Sequence, residues 1–183
     1  MVLHAWIGFG DEVGDVPAGL KNYGVLVDRA EAYGIRFAIE NTEGLFYLET
    51  LMEHFRDRPT VGFCWDSGHE MCYNGFENLL ARYGDRLCVT HLNDNLGVSR
   101  FDGRIYWTDD LHLLPYDGVG DWEEFAKRLK ASAKMEALNF ELKLPSSPNR
   151  HDNDIYNQMP LETYFAEAYK RACRVARRIM MEA

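Results

Sequence analysis

The stretch VGFCWDSGHE, residues 61–70, is a short apolar run that stops at an acid, Asp66. Three other stretches share this form: FAIEN (37–41) stops at Glu40, VTHLND (89–94) at His91 and NFELK (139–143) at Glu141. A parallel barrel gathers the residues at the carboxyl ends of its strands on one face. The four stretches therefore predict one site, built at the ends of four successive strands.

Strand-like runs alternate with helical patterns along the chain, which favours an α/β fold with a parallel sheet. The predicted strands are residues 2–4, 37–40, 61–66, 87–91 and 138–142, and the predicted helices are about 17–33, 45–55, 76–83, 122–134 and 161–181. Because side chains alternate faces along a strand, the four site residues share their face with small neighbours such as Ala38 and Cys64. Phe37 and Trp65 then point the other way, toward the covering helices.

Composition narrows the function classes. Lys plus Arg number 20 and Asp plus Glu number 29, a formal charge of 20 − 29 = −9, which disfavours binding to a phosphate backbone. No apolar run is long enough to predict a membrane span, and the first residues do not resemble a secretory signal. The four cysteines are scattered without paired spacing, which is typical of a reducing compartment, so we expect a cytoplasmic protein.

The set Glu40, Asp66, His91 and Glu141 has the chemistry of a metal site. Three carboxylates and one imidazole favour a borderline-hard divalent ion, namely manganese, magnesium, cobalt or zinc. A structural zinc site more often uses cysteines. The alternative is that each acid is a solvated residue at a strand end, but four matching positions disfavour that interpretation.

Further polar residues fall near the same strand ends and are candidate substrate ligands. His69 follows Asp66 past Gly68, so a turn can bring it back over the site. Asp110 and His112 form a D-x-H pair in a long loop, where the alternative is that they pair only with each other. The full predicted substrate-binding set is His4, His69, Asn93, Asp94, Asp110 and His112.

These segments together resemble the sugar-phosphate isomerase/epimerase superfamily, the xylose isomerase-like barrels that include endonuclease IV (AP endonuclease family 2). The matching pieces are VLHA, AIENTEG, VGFCWDSGHE, VTHLNDN, DDLHLLPYDGVGDWEEF and NFELK, in family order. The resemblance implies a partial (β/α)8 TIM barrel of about five β/α units, strands 4 to 8. Residues 1–183 would form a single domain that lacks the N-terminal third of a typical member.

The resemblance implies that Glu40, Asp66, His91 and Glu141 bind one divalent ion and that His69 contacts the substrate. In the isomerase and epimerase branch, Glu40 and Glu141 are catalytic and move a proton through an enediolate of a sugar, sugar phosphate or inositol-like polyol. In the endonuclease branch, additional zinc at His69, Asp110 and His112 helps to cleave abasic DNA. The −9 charge and the segment ENTEGLF, which lacks the glycine-rich continuation of the endonuclease, favour the sugar branch and a small polar substrate.

One departure weakens the epimerase assignment. Several ketose epimerases carry an arginine shortly after the histidine ligand, and here that position is Gly97, with Arg100 the nearest candidate. A third possibility is a barrel fragment without catalytic activity. Because an incomplete barrel exposes sheet edges, we expect homo-oligomerisation.

Overall fold

The computed structural model describes residues 1–6, 8–9 and 14–181, and within them the chain has the predicted α/β fold. The strands are β1 (Val2–His4), β2 (Phe37–Glu40), β3 (Val61–Asp66) and β4 (Leu87–His91). The helices are α1 (Val16–Ala32), α2 (Leu45–His54), α3 (Ser67–Cys72), α4 (Leu79–Tyr83), α5 (Trp122–Ala131), α6 (Asp154–Asn157) and α7 (Leu161–Met181), with 3₁₀ turns at Gly84–Arg86 and Trp107–Asp109.

The four strands form one parallel sheet in the order β1-β2-β3-β4. The register pairs His4 with Glu40 and Asp66 with His91, so residues that end neighbouring strands lie side by side. An irregularity between Phe63 and Cys64 shifts the pairing of β3 with β4. The parallel order brings the carboxyl ends of all four strands to one edge, as in part of a barrel.

The prediction of a fifth strand over 138–142 was wrong. The segment makes a single parallel bridge, Phe140 to Leu92, with Leu92 N donating to Asn139 O at 2.9 Å and Glu141 N donating to Leu92 O at 3.2 Å. The Thr90 hydroxyl takes the next partners: Asn139 N donates to it at 2.9 Å, and it donates to Asn139 O at 3.2 Å. Hydrogen bonds to a side chain thus replace those of a β-ladder at this position. The single bridge still places Glu141 at the edge of the sheet where β4 ends.

Two predicted helices also differ from the structure. The helix expected over 76–83 begins only at Leu79, because Gly75 and Phe76 have φ of 60° and 61°, which no α-helix allows. The helix predicted to end at residue 134 stops at Ala131. Helix α3 was not predicted. Among the described residues, no helix has the combined length and apolar character that crossing a lipid bilayer requires.

The core lies between the sheet and its covering helices, as the alternation of side chains predicted. Phe37, Ile39, Phe63 and Trp65 are fully buried in one apolar cluster with residues of α1, α2, α5 and α7. The small residues Ala38 and Cys64 are buried as well but lie outside that cluster, on the opposite face of the strands. The large side chains therefore anchor the helices, while the face that carries the candidate ligands is lined by small residues.

Candidate active site

Four candidate ligand residues converge at the carboxyl edge of the sheet. Glu40, Asp66 and His91 end β2, β3 and β4, and Glu141 directly follows the bridge at Phe140. One ligand atom from each of the four lies within 4.8 Å of the others. Glu40 and Asp66 are buried, whereas the Glu141 side chain is 46% exposed. The cluster therefore opens toward solvent on its Glu141 side.

The His91 imidazole lies between the two glutamates. Its Nδ1 is 3.0 Å from Glu40 Oε1 and 2.8 Å from Glu141 Oε2. Burial opposes a charge on this ring, but hydrogen bonds with Cys64, Glu141 and Glu40 raise its pKa well above the usual range. Burial likewise opposes the charge on Glu40, yet hydrogen bonds from His4 and His91 lower its pKa to about 2. The carboxylates thus favour a positive charge at their meeting point.

Asp66 is fixed by buried donors from the segment after β4 and from α3. Asn93 Nδ2 donates to both carboxylate oxygens, at 3.2 and 3.0 Å, and His69 N donates to Oδ1 at 2.7 Å. The bond from His69 N makes Asp66 the N-cap of α3. Burial raises the pKa of Asp66 to about 6. Asn93, which we predicted to bind substrate, is fully buried and orients the candidate metal ligand, and its contact with substrate stays a prediction.

Asp94, the next predicted substrate ligand, accepts hydrogen bonds from the loop that leads into α5. Its Oδ1 accepts from Asn95 N and Gly120 N, both at 2.9 Å. Its Oδ2 accepts from Tyr116 N at 2.9 Å and from Trp122 Nε1 at 2.8 Å. Four donors fill both oxygens of this buried carboxylate, so Asp94 anchors the loop that leads into α5. Its contact with substrate stays a prediction.

A second cluster lies beside the first. Asp110 Oδ2 is 2.6 Å from His112 Nε2 and 3.5 Å from His69 Nε2, and one ligand atom from each residue fits within 4.8 Å of the others. His69 Nδ1 is 2.8 Å from Asn41 O and 3.4 Å from Glu40 Oε1, which ties the two clusters together. His112 has a φ of 49°, a left-handed backbone that aims its ring back at Asp110.

His4 lies at the rim of the site. It ends β1, its side chain is 43% exposed, and its Nε2 is 3.4 Å from Glu40 Oε2. Burial opposes a charge on the ring, but the larger effect is the hydrogen bond with Glu40, which raises the pKa of His4. The structure thus brings His4, His69, Asp110 and His112 together around the four predicted metal ligands.

Three residues of the site were not predicted. Asn41 Oδ1 accepts from Asp66 N at 2.7 Å, and Asn41 Nδ2 donates to Asp66 O and to Asn74 Oδ1, both at 2.9 Å. Asn74 Nδ2 donates to Thr42 O at 2.8 Å, so these amides clamp β2 to β3 beneath the ligands. Cys64 is the third, because its Sγ forms a possible ligand group with Glu40 and His91. The only sequence signal was the placement of Asn41 directly after Glu40.

The donor set fits a divalent cation. Three carboxylates within ligand distance of one another repel in the absence of a compensating charge. Here neighbouring imidazoles supply that charge, and the oxygens and nitrogen present suit magnesium, manganese, cobalt or zinc. The amides that orient Asp66 are the kind of supporting contacts that metal ligands use in other proteins.

We expect Gly68→Ala to damage the site from beneath, because a Cβ on Gly68 would collide with Asn93 Oδ1. The clash must displace the amide that holds Asp66, so the free energy of unfolding should fall by roughly 2–4 kcal/mol. The matched control is Gly24→Ala, since a Cβ there has open space on α1 and should stabilise the chain by about 0.5–1 kcal/mol. Urea unfolding measures both, and equal effects would contradict the role given to Gly68.

A parallel β/α sheet with acids and a histidine at its carboxyl edge is the arrangement of a parallel barrel with a candidate metal-ligand set at its strand ends. The xylose isomerase-like TIM barrel family matches residues 18–178, and the chain belongs to this family. An uncharacterized protein, y4fM, of Sinorhizobium fredii (strain NBRC 101917 / NGR234) is 43% identical over 82 residues, which cover 44% of this chain and 23% of that protein.

Solved structures share the fold. A xylose isomerase-like TIM barrel/4-hydroxyphenylpyruvate dioxygenase fusion protein matches with a TM-score of 0.68 at 15% identity, over 97% of this chain and 28% of its own. The apo 3-keto-D-glucoside 4-epimerase of E. coli matches with a TM-score of 0.61 at 15% identity, over 93% of this chain and 62% of its own. The chain therefore spans less than two thirds of the length of each of these proteins.

Proposed function

We propose that this chain is a divalent-metal-dependent isomerase or epimerase of a sugar, a sugar phosphate or an inositol-like polyol. The observation that carries the proposal is the pair of carboxylates, Glu40 and Glu141, that flank His91 Nδ1 at 3.0 and 2.8 Å within one four-ligand cluster. Membership of the xylose isomerase-like family supports an isomerase or epimerase at this level.

Glu40, Asp66, His91 and Glu141 would hold the ion. When bound, a divalent ion polarises adjacent substrate oxygens and stabilises the negative charge that develops on them. Asn93 and Asn41 keep Asp66 in place, so one side of the site is rigid before substrate arrives. The half-exposed Glu141 lies on the side through which a small polar substrate enters.

The two glutamates are the chain's own groups for proton transfer. One carboxylate removes the proton from the carbon next to the carbonyl, leaving an enediolate, and the other returns a proton, which is general acid–base catalysis. Glu40 is buried and oriented by His4 and His91, which suits a base in a fixed position. The exposure of Glu141 lets its proton exchange with water. His4, His69, Asp110 and His112 line the same space and would bind substrate hydroxyls.

Deuterium incorporation tests the proposal. We expect the Mn²⁺-loaded chain in D₂O to place deuterium at the carbon next to the carbonyl of at least one member of a panel of ketoses and keto-polyols, as measured by NMR. EDTA should abolish the exchange. Tight Mn²⁺ binding without exchange into any substrate would reject the proposal and favour a metal-binding module without turnover.

The second cluster supports one alternative, a zinc-dependent phosphodiesterase that acts on abasic DNA. His69, Asp110 and His112 offer a further set of ligand atoms next to the first, and neighbouring metal ions can clamp the two oxygens of a phosphodiester displacement. The charge of −9 opposes binding to duplex DNA. Two or more zinc ions per chain together with cleavage of an abasic oligonucleotide would favour this alternative, and one ion without cleavage would remove it.

A further inference from the structure

Helix α7 has an apolar surface wider than its own domain covers. Tyr164 and Val175 are buried against the rest of the chain. Phe165, Tyr169 and Met180 are 60%, 74% and 78% exposed on the same helix. Large apolar side chains that line up on a surface mark an interaction site more often than single scattered ones do.

Apolar residues, of which the two alanines are only partly exposed, form a continuous stripe along the whole helix. Their spacing is four, four, three, four and four residues, so at 3.6 residues per turn they fall within an arc of about 100°. This is the spacing of a seam through which one helix packs against another. The stripe of α7 consists of Leu161, Phe165, Tyr169, Ala172, Ala176 and Met180.

The two halves of the stripe have opposite shapes. The first half carries the projecting side chains of Phe165 and Tyr169. The second half carries Ala172 and Ala176, which form one wall of an open groove of about 720 Å³. The other wall of that groove comes from Met135, Leu138 and Phe140. One end of the surface therefore offers bulky groups, and the other end offers an apolar space for such groups.

We propose that this surface binds a second copy of the chain, with the two α7 helices antiparallel around a twofold axis that passes between residues 170 and 171. A surface that pairs with itself in this way must carry each shape and its complement on opposite sides of the axis. The stripe meets that condition about this axis, because each large side chain lies opposite a small or a flexible one. The pairs are Tyr169 with Ala172, Phe165 with Ala176, and Leu161 with Met180.

The charged residues of α7 fit the same twofold axis. Glu162 lies near the first end of α7 and Arg177 near the other, and on the helix both border the same edge of the stripe. An antiparallel pair brings that edge of one helix against the same edge of the other. Glu162 of each copy then lies beside Arg177 of its partner, whereas a parallel pair would turn this edge toward the opposite edge of the partner and separate the two charges.

Sedimentation velocity on single variants tests the surface. We expect the wild-type chain to form dimers, and Tyr169→Glu to raise the dimer Kd at least roughly 30-fold, because it removes an aromatic anchor and buries a charge. The control is Phe46→Glu, since Phe46 is as exposed as Phe165 but lies on α2. A wild-type monomer at the highest concentration reached, or a Tyr169→Glu dimer as tight as wild type, would overturn the proposal. A wild-type monomer would instead indicate that further β/α units cover α7.

The direction of the helices is tested by exchanging charges. Glu162→Arg and Arg177→Glu should each weaken the dimer, by roughly tenfold given the modest strength of exposed ion pairs, and the double variant should restore wild-type affinity. A double variant no tighter than the single variants would reject the antiparallel pairing. The stripe carries none of the candidate metal ligands, so Mn²⁺ binding should be unchanged in every variant. Failure of the dimer proposal and failure of the proposed function are thus separable.

Discussion

The Glu141→Gln variant is expected to incorporate solvent deuterium into its substrate roughly 10²–10⁴-fold more slowly than the wild-type chain, because a carboxamide cannot accept or return the proton. The fold should survive, since the side chain is 46% exposed and its main partner is His91 Nδ1 at 2.8 Å. NMR detection of the exchanged position under saturating Mn²⁺ measures the rate. Isothermal titration with Mn²⁺ on the same variant separates a lost proton carrier from a lost metal ligand.

The matched control is Glu136→Gln, an exposed glutamate in the same segment five residues earlier. It should bind Mn²⁺ and exchange deuterium as the wild-type chain does. If Glu141→Gln binds Mn²⁺ more weakly but exchanges normally once saturated, Glu141 is a ligand and not a proton carrier. If both properties are unchanged, Glu141 has no place in the site and the reaction proposed here loses one of its two acids.

The convergence of the four ligands was predictable because it rests on local patterns. An apolar run with period two fixes which side chains share a face, and a parallel order fixes which ends meet. The prediction of the fifth strand was wrong because of a contact between two segments that are distant in the sequence. Whether residues 138–142 form a ladder depends on the Thr90 hydroxyl, which bonds both the N–H and the carbonyl of Asn139. No pattern within either segment reveals that exchange.

Contacts with other segments also set the hydrogen bonds of Asn93 and Asp94, and a local sequence pattern does not reveal them. Both follow His91, and residue type alone suggests substrate contact for each. Their actual partners come from elsewhere in the chain: Asp66 for Asn93, and residues 95 to 122 for Asp94. Asp110 and His112 pair with each other at 2.6 Å, and His112 has a positive φ, which is a short-range arrangement of neighbouring residues.

The stability of the chain after metal removal should fall as pH rises from 7 to 9. Burial opposes the charge on both His69 and His112. Asp66 and Asp110 nevertheless raise the pKa of His69 to about 10, and the hydrogen bond and charge of Asp110, together with the charges of Asp66 and Glu141, raise the pKa of His112 to about 9. An unfolded histidine titrates near 6.5. Between these values the folded chain holds more protons than the unfolded chain. The stabilisation is therefore complete below about pH 6.5 and is lost as pH rises through 9 to 10.

Thermal unfolding in EDTA across this range measures the effect, which should be on the order of a few kcal/mol, at about 1.4 kcal/mol per unit of pKa change. The His69→Asn variant should have a flatter pH dependence than wild type, and the control, His54→Asn on α2, should keep the wild-type slope. With saturating Mn²⁺ this loss should be smaller, because the ion competes with protons for its own ligands Glu40, Asp66, His91 and Glu141 and binds more tightly as those protons leave. A wild-type slope in EDTA that His69→Asn does not change would show that the carboxylates around His69 do not hold its proton, and the electrostatic basis for a cation at this edge of the sheet would then fail.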